Sequence, residues 1–240
     1  MKIEGYNPTN EGSAVMVRRA AKLINEAKRP VILSGHGVIL SGAYAELISL
    51  AEKAQTPVIA TLLGISSFPE DHFLYAGWPG MHGMAYSSLA IDESDLLIAI
   101  GMRFDDRITG DTSKFAPNAK VIHIDIDPSE IGKNINVDVP IVGDAKHTLR
   151  QLIPLIEETS RVDWINRVET LKSEHPLIGV NDTDKLIPQF VINEIYKATN
   201  GDAIVVTGVG QHQMWAAQYY KFNEPRTLVS SGGSGAMGFE

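Results

Sequence analysis

Short apolar runs alternate along the first two thirds of the chain with segments whose apolar residues recur at helical spacing. Runs typical of buried strands occur at 30–34, 57–61, 95–100, 120–127 and 139–143. Amphipathic helices are predicted at 12–28, 43–54, 84–93 and 144–158. Strands that alternate with helices in this way are typical of a mostly parallel sheet with helices on both faces, so the predicted fold class is α/β.

A second, shorter α/β pattern follows a polar stretch at 161–185 that is interpreted as a linker. Its predicted elements are helices at 188–199 and 211–220 and strands at 202–207 and 226–230. A sheet with so few strands cannot bury both faces or pair its edges. The sequence therefore predicts an incomplete second unit, and hence a piece of a longer protein.

Composition and charge narrow the function classes. The 240 residues are 44% hydrophobic, enough for a substantial core, and the net charge of -8 argues against nucleic acid or an anionic membrane as the main partner. No apolar run reaches transmembrane length, and the amino end lacks the apolar core of a signal peptide. Without cysteine there can be no disulfide, thiol nucleophile or thiolate metal site, and the expected location is the cytoplasm.

The most informative chemistry follows the strand at 95–100, in the segment Gly101–Arg107, here called the strand-end loop. Ligands bind at the carboxyl ends of strands in open α/β sheets, and two arginines there match the charge and geometry of a pyrophosphate. The neighbouring aspartates could hold the arginines or accept hydrogen bonds from ribose hydroxyls. The alternative is a solvated loop with surface ion pairs.

Other strand ends carry compatible groups. Gly35–Gly37 permits close backbone approach to a phosphate, although a plain tight turn is the simpler interpretation. Asp125 and Asp127 could accept hydrogen bonds from ribose hydroxyls, although Asp127 could equally form a turn or cap a helix. Asp144 is suited to helix capping, which need not exclude a ligand contact. His82 could donate to a ligand or merely close its loop. The convergence of several strand ends favours a nucleotide site.

The second unit offers a weaker candidate at 207–215, where glycines end a strand and Gln211 and His212 begin a helix. Backbone N–H groups and the helix dipole there would suit a diphosphate. A cap or surface histidine is the alternative. The segment 230–238 places Met237 among glycines, which suits either unusual backbone geometry or a flexible linker.

Taken together, several motifs resemble the catalytic large subunit of acetolactate synthase (acetohydroxyacid synthase), a thiamine-diphosphate enzyme family. The resemblance covers nearly the whole chain and rests on the motifs at 35–38, 80–83, 101–107, 210–218 and 231–233. It implies a Rossmann-like central domain that binds FAD at 1–175, a linker at 176–185, and at 186–240 the start of a thiamine-diphosphate domain.

The resemblance also implies which residues contact the cofactors. The FAD contacts would be Gly35, His36, Gly37, Thr61, Leu62, Met81, His82, Gly83, Gly101, Met102, Arg103, Asp105, Arg107, Ile108, Asp125, Ile126, Asp144 and Ala145. Arg103 would face the flavin phosphates. The thiamine-diphosphate contacts would be Val209, Gly210, Gln211, His212, Gly235 and Met237. No catalytic residue and no metal ligand is expected within this chain.

Members of this family condense two pyruvates, or pyruvate and 2-oxobutyrate, to 2-acetolactate or 2-aceto-2-hydroxybutyrate with loss of CO2, in branched-chain amino acid (valine, leucine and isoleucine) biosynthesis. The resemblance thus implies thiamine diphosphate, Mg2+ and FAD as cofactors, a homodimer or tetramer, and a regulatory small subunit. The family's activating glutamate and magnesium-binding segment have no counterpart here. The chain alone is therefore expected to be inactive.

Two other interpretations remain open from the residues. One is a stand-alone, non-catalytic module that binds ADP or NAD on the same sheet. The other is a different thiamine-diphosphate enzyme, such as a 2-oxo acid decarboxylase, an oxidase or a glyoxylate carboligase. The Gln211–Gln218 run favours an enzyme over a module, because a module has no need of a second diphosphate cradle.

Overall fold

The computed structural model describes residues 7–178 and 186–240, and within them five parallel strands form one sheet. The strands are β1 (Pro30–Ser34), β2 (Val58–Ala60), β3 (Leu96–Ile100), β4 (Lys120–Asp125) and β5 (Val139–Val142). Their order across the sheet is β2-β1-β3-β4-β5. All five positions of β1 and of β3 are buried, which is why both strands are continuous apolar runs in the sequence.

Helices cover both faces of this sheet. They are α1 (Ala14–Glu26), α2 (His36–Ser41), α3 (Tyr44–Lys53), α4 (Ala85–Glu93), α5 (Asp106–Thr109), α6 (Ala145–Leu152) and α7 (Val162–Glu174). Alternate strand residues point to opposite faces: Ile32 and Ile98 join the core under α1, α3 and α6, whereas Val31 and Leu97 join the core under α4 and α7. The predicted α/β class, with a Rossmann-like parallel sheet, is confirmed.

The strand order places the carboxyl ends of β1 and β3 at the centre of one sheet edge. The chain moves outward from β1 to β2, and β3 then returns to the other side of β1. Ligands of open α/β sheets bind where the strand order reverses in this way. This edge is therefore where the fold positions a site.

Two predictions in this region are wrong. The helix predicted at 144–158 ends at Leu152, and a single 3-10 turn follows at Ile153–Leu155. Pro154 accounts for the early end, because proline lacks the backbone N–H that would continue the helix and its ring crowds the carbonyl of the preceding turn.

The stretch interpreted as a linker from 161 onward contains α7 instead. Trp164, Val168 and Leu171 lie on one face of this helix and are buried, and the Trp164 indole donates to the Pro30 carbonyl at 2.8 Å. The spacing of these three residues is helical, so the signal was present among the polar residues. The narrower linker at 176–185 falls largely on residues 179–185, which lie outside the described residues.

The second unit comprises α8 (Pro188–Thr199), β6 (Val205–Thr207), α9 (Gln211–Tyr219) and β7 (Leu228–Ser230). The predicted order of two helices and two strands is correct, although both strands are shorter than predicted. Within the described residues β6 and β7 form a two-stranded parallel sheet. Tyr220 and Phe222 extend the core of the first unit. Within the described ranges, none of the helices has the length and apolar character that crossing a bilayer requires.

Polar contacts also join the two units. The Arg226 guanidinium donates to the Ile39 carbonyl at 2.9 Å, and its backbone N–H donates to the Ser66 hydroxyl at 3.1 Å. The Gln218 amide donates to the His82 carbonyl at 2.7 Å. These contacts bring α9 and β7 against the carboxyl edge of the first sheet.

A carboxyl group is buried at this junction. Glu70 has one oxygen without a hydrogen-bond partner in the described structure. Burial raises the pKa of Glu70 from 4.5 to about 8, while the Phe222 backbone, the Tyr75 hydroxyl and the charge of Lys221 act in the opposite direction. The folded protein therefore retains a proton on Glu70 that the unfolded chain releases near pH 4.5.

We expect this proton to make the stability of the protein depend on pH. Between about pH 4.5 and about pH 8 the unfolded state binds fewer protons than the folded state, so the free energy of unfolding should fall as pH rises, by at most about 1.4 kcal/mol per unit. Glu70→Gln should remove this contribution, as measured by urea denaturation across the window. The exposed Glu158→Gln variant should keep it. An unchanged slope in Glu70→Gln would contradict the assignment.

Candidate functional site

A cleft of about 480 Å³ lies at the carboxyl edge of the first sheet, between the ends of β1 to β4 and the second unit. It brings together most of the residues that the resemblance singled out. Those that line it are His36, Thr61, Leu62, Met81, His82, Gly101, Met102, Arg103, Asp105, Arg107, Ile108, Asp125 and Val209. The expected convergence of neighbouring strand ends on one groove is thus observed.

The remaining predicted contacts lie beside the cleft or away from it. Gly35, Gly37 and Gly83 shape the turns behind its wall, and Ile126, Asp144 and Ala145 lie farther along the same sheet edge. In the second unit, Gly210, Gln211, His212, Gly235 and Met237 do not line it. The Met237 side chain is 78% exposed.

Seven lining residues were not among the predicted contacts: Leu63, Trp78, Pro79, Gln213, Met214, Gly232 and Gly233. Four of them lay inside motifs that the sequence singled out without assigning them a contact. Trp78 had no such signal. It is buried, and its indole N–H has no partner within the described residues.

Glycines allow the turns after β1 and β3 to touch. The Gly37 backbone N–H donates to the Gly101 carbonyl at 2.9 Å, and that of Gly35 donates to the Ile100 carbonyl at 2.9 Å. A Cβ on Gly35 would collide with the Gly101 carbonyl oxygen. Gly101 itself has a positive φ of 58°. Any other residue at these positions would push the two turns apart.

The strand-end loop presents two arginines to the cleft. The Arg103 guanidinium is 3.7 Å from an Asp105 oxygen, and its side chain is 53% exposed. The other Asp105 oxygen accepts from the Arg107 backbone N–H at 3.0 Å and caps α5. An exposed pair at this separation is weak, so both guanidiniums remain able to bind an anion.

His36 contributes a buried polar atom to the wall. Its Nδ1 has no hydrogen-bond partner in the described structure. Burial lowers the pKa of His36, and the positive charge of Arg226 lowers it further. The imidazole is therefore neutral at neutral pH and can hydrogen-bond a ligand without adding charge.

Of the three acidic residues at strand ends, one lies in the cleft wall and two stabilise local backbone structure. Asp125 lines the cleft, and burial raises the pKa of its carboxyl. Asp127 accepts from the Ser129 backbone at 2.8 Å, and hydrogen bonds from Ser129 lower its pKa. Asp144 caps α6 by accepting from the His147 backbone N–H at 3.1 Å. The turn and cap interpretations thus describe Asp127 and Asp144.

The second unit closes one side of the cleft. Gly232 and Gly233 approach so closely that a Cβ on either would lie 3.1 Å from a methyl carbon of Leu62 or Leu63. Gln213 at the start of α9 is buried, and its amide donates to the Ser230 hydroxyl at 2.6 Å. Gly210, with φ of 146°, precedes α9, and no side chain in the described residues caps the first N–H groups of this helix.

Two family models match the chain. One, described as the central domain of thiamine pyrophosphate enzymes, matches residues 17–152, and one described as their C-terminal TPP-binding domain matches residues 208–240. The first match covers more than half of the chain and includes the sheet and most of the cleft wall.

Similar proteins come from bacteria and archaea. The acetolactate synthase large subunit of Corynebacterium glutamicum is 48% identical over 99% of this chain and 39% of its own length. A probable acetolactate synthase large subunit of Methanocaldococcus jannaschii is 47% identical over 99% of this chain and 42% of its own. The acetolactate synthase of Mycobacterium bovis is 45% identical over 100% of this chain and 40% of its own length. The chain spans about two fifths of the length of these relatives.

Proposed function

The chain belongs to the thiamine pyrophosphate enzyme family, and we propose that it is the FAD-binding part, with the beginning of the thiamine-diphosphate domain, of an acetolactate synthase large subunit. The observation that carries this proposal is the single cleft in which Arg103, Arg107, His36 and Asp125 meet. The names of the relatives support the choice of synthase.

The groups that line the cleft fit an adenine dinucleotide. The turn after β3 brings Gly101 into the cleft wall, and the two exposed guanidiniums of Arg103 and Arg107 supply a charge opposite to that of a phosphate. Asp125 offers carboxylate oxygens to ribose hydroxyls, as acidic residues at strand ends do in this kind of sheet.

For the second unit we propose that residues 207–212 form part of the thiamine-diphosphate site. Gly210 is exposed, and α9, nine residues long, begins directly after it at Gln211. Val209 through His212 would lie beside the diphosphate, and Gly235 and Met237 beside the thiamine. When bound, thiamine diphosphate supplies the electron sink for decarboxylation of a 2-oxo acid, and this chain's residues would hold and orient it.

The rest of the proposed activity involves parts of the relatives beyond the span matched here. Among the described residues no group of three or more His, Asp or Glu side chains could hold a metal ion, so these residues by themselves do not fit Mg2+. We propose pyruvate and 2-oxobutyrate as substrates of the whole enzyme. We also propose a dimer or tetramer with a small subunit, located in the cytoplasm, with domains at 1–175 and 186–240.

Titration calorimetry with FAD, ADP and NAD tests the site. We expect the chain to bind FAD or ADP, and Arg103→Ala to weaken binding by about 1.5–3 kcal/mol, because a charge-assisted hydrogen bond to phosphate is lost. The exposed Arg19→Ala variant on α1 removes the same charge away from the cleft and should bind as the wild type does.

Each other result would change the proposal. Equal binding by Arg103→Ala and wild type would remove Arg103 from the phosphate site. A clear preference for NAD over FAD would favour the non-catalytic nucleotide-binding module.

A further inference from the structure

Both carbonyl groups that flank Arg103 are held by side chains from outside the strand-end loop. His123, on β4, donates from Nε2 to the Met102 carbonyl at 2.8 Å. Asn134, beyond β4, donates from Nδ2 to the Phe104 carbonyl at 2.5 Å. Hydrogen bonds thus fix the backbone on each side of Arg103, and the residues that donate them do not line the cleft.

The surroundings of His123 fix its ring in a state that can donate to the Met102 carbonyl. It is fully buried, and because a carbonyl can only accept, Nε2 carries the proton. Its Nδ1 has no partner within the described residues, and burial lowers the pKa of the ring although the Met102 carbonyl, Asp125 and Glu130 favour the charged form. The Phe104 ring packs edge-on against the imidazole at 5.1 Å between centroids.

Arg103 itself has little else to direct it. Its one ion pair in the described structure, with Asp105, spans 3.7 Å and is exposed to solvent. A long side chain held so weakly takes its direction from its backbone, and binding an anion costs less when the backbone is already ordered. The two carbonyl contacts are therefore in a position to determine how Arg103 meets a ligand.

We propose that His123 and Asn134 are positioning residues that orient Arg103 toward the diphosphate of the bound nucleotide, an inference that rests on the proposed function of the cleft. They act through the Met102 and Phe104 carbonyls and need not touch the ligand. Their effect should therefore appear only with ligands that carry phosphate and only while Arg103 is present.

Asn134 gives the sharpest test, because it is exposed and Asn134→Ala should leave the fold intact. Binding of ADP and of adenosine to the full chain is measured by calorimetry for wild type, Asn134→Ala and the matched control Asn136→Ala, an exposed asparagine two residues away. We expect Asn134→Ala to weaken ADP binding by about threefold to tenfold and adenosine binding by less than about twofold. Asn136→Ala should change neither.

His123 is tested by a pair of variants. Gln places an amide N–H near the position of Nε2, whereas Leu removes the donor. We expect His123→Leu to weaken ADP binding by about tenfold and His123→Gln to restore most of it. If His123→Leu does not fold, as judged by circular dichroism, the Asn134 series decides alone.

The decisive measurement repeats Asn134→Ala in an Arg103→Ala background. A positioning role predicts no further loss of ADP affinity there, because the residue being positioned is gone. Equal losses for ADP and adenosine, full additivity with Arg103→Ala, or no loss at all would each overturn the inference while leaving the nucleotide site in place. Failure of the wild-type chain to bind ADP would overturn the proposed site, and equal ADP binding by wild type and Arg103→Ala would remove Arg103 from that site. Either result would overturn this inference as well.

Discussion

Arg161→Met is expected to lower the free energy of unfolding by about 3–5 kcal/mol, as expected when a buried, multiply hydrogen-bonded charge is removed and its partners are left unpaired. Arg161 is 7% exposed, and its guanidinium donates to backbone carbonyls instead of a carboxylate. Nε donates to Ala27 at 3.0 Å, one Nη to Ile24 at 2.5 Å, and the other Nη to Ala54.

The position of these carbonyls explains why a buried arginine has no carboxylate partner. Ala27 and Ala54 are the cap residues directly after α1 and α3, so one cation donates to carbonyls at two helix carboxyl ends, where the helix dipole is negative. The same side chain joins the segment before α7 to both helices. Methionine fills similar volume but donates nothing, so the Ile24 and Ala27 carbonyls would lose the Arg161 donor, whereas the Ala54 carbonyl would keep the hydroxyls of Thr56 and Thr159.

Chemical denaturation at constant pH measures the effect. The exposed Arg19→Met variant on α1 is the matched control and should stay within about 0.5 kcal/mol of wild type. Arg161→Lys should fall between wild type and Arg161→Met, since one ammonium group cannot reach carbonyls that a planar guanidinium reaches together. A loss below about 1 kcal/mol in Arg161→Met would show that water replaces these contacts and that the cap contributes little.

Gly101→Ala is expected to cost about 2–4 kcal/mol of stability, the second largest effect. Part of the loss is the strain of alanine at a φ of 58°, about 1 kcal/mol. The rest is steric, because the new Cβ would lie 2.6 Å from Gly37 Cα. The atoms that it meets belong to the Gly37 backbone and cannot rotate away.

Gly42→Ala separates these two causes. Gly42 has a similar φ of 62°, but a Cβ there meets nothing within 4 Å. Gly42→Ala should therefore lose only the stability that corresponds to the strain of a positive φ, about 1 kcal/mol. The two variants are compared by urea denaturation, and Gly101→Ala should also weaken ADP binding, because the strand-end loop must shift. Equal losses in the two variants would mean that the turns after β1 and β3 have room to separate.

The strands β1, β2 and β3 could be predicted because each is a short apolar run, and strands buried on both faces have no polar alternation to obscure them. Pro154 marked the early end of α6 within the sequence, and α7 carried helical spacing at Trp164, Val168 and Leu171 among polar residues. Both signals are local, so the end of α6 and the presence of α7 can be predicted from the sequence. The position of Trp78 in the cleft wall cannot, since nothing near it in sequence indicates the cleft.

The sequence by itself determined that the chain is α/β, that its strand-end loop carries two arginines, and which family it resembles, because apolar periodicity and short motifs are local properties. Only the tertiary structure decided that Gly35 and Gly101 touch, that Arg161 caps two helices, and that His123 and Asn134 hold the backbone around Arg103. These contacts join residues far apart in the chain. They depend on strand order and helix placement, which the packing of the whole core selects and no local pattern encodes.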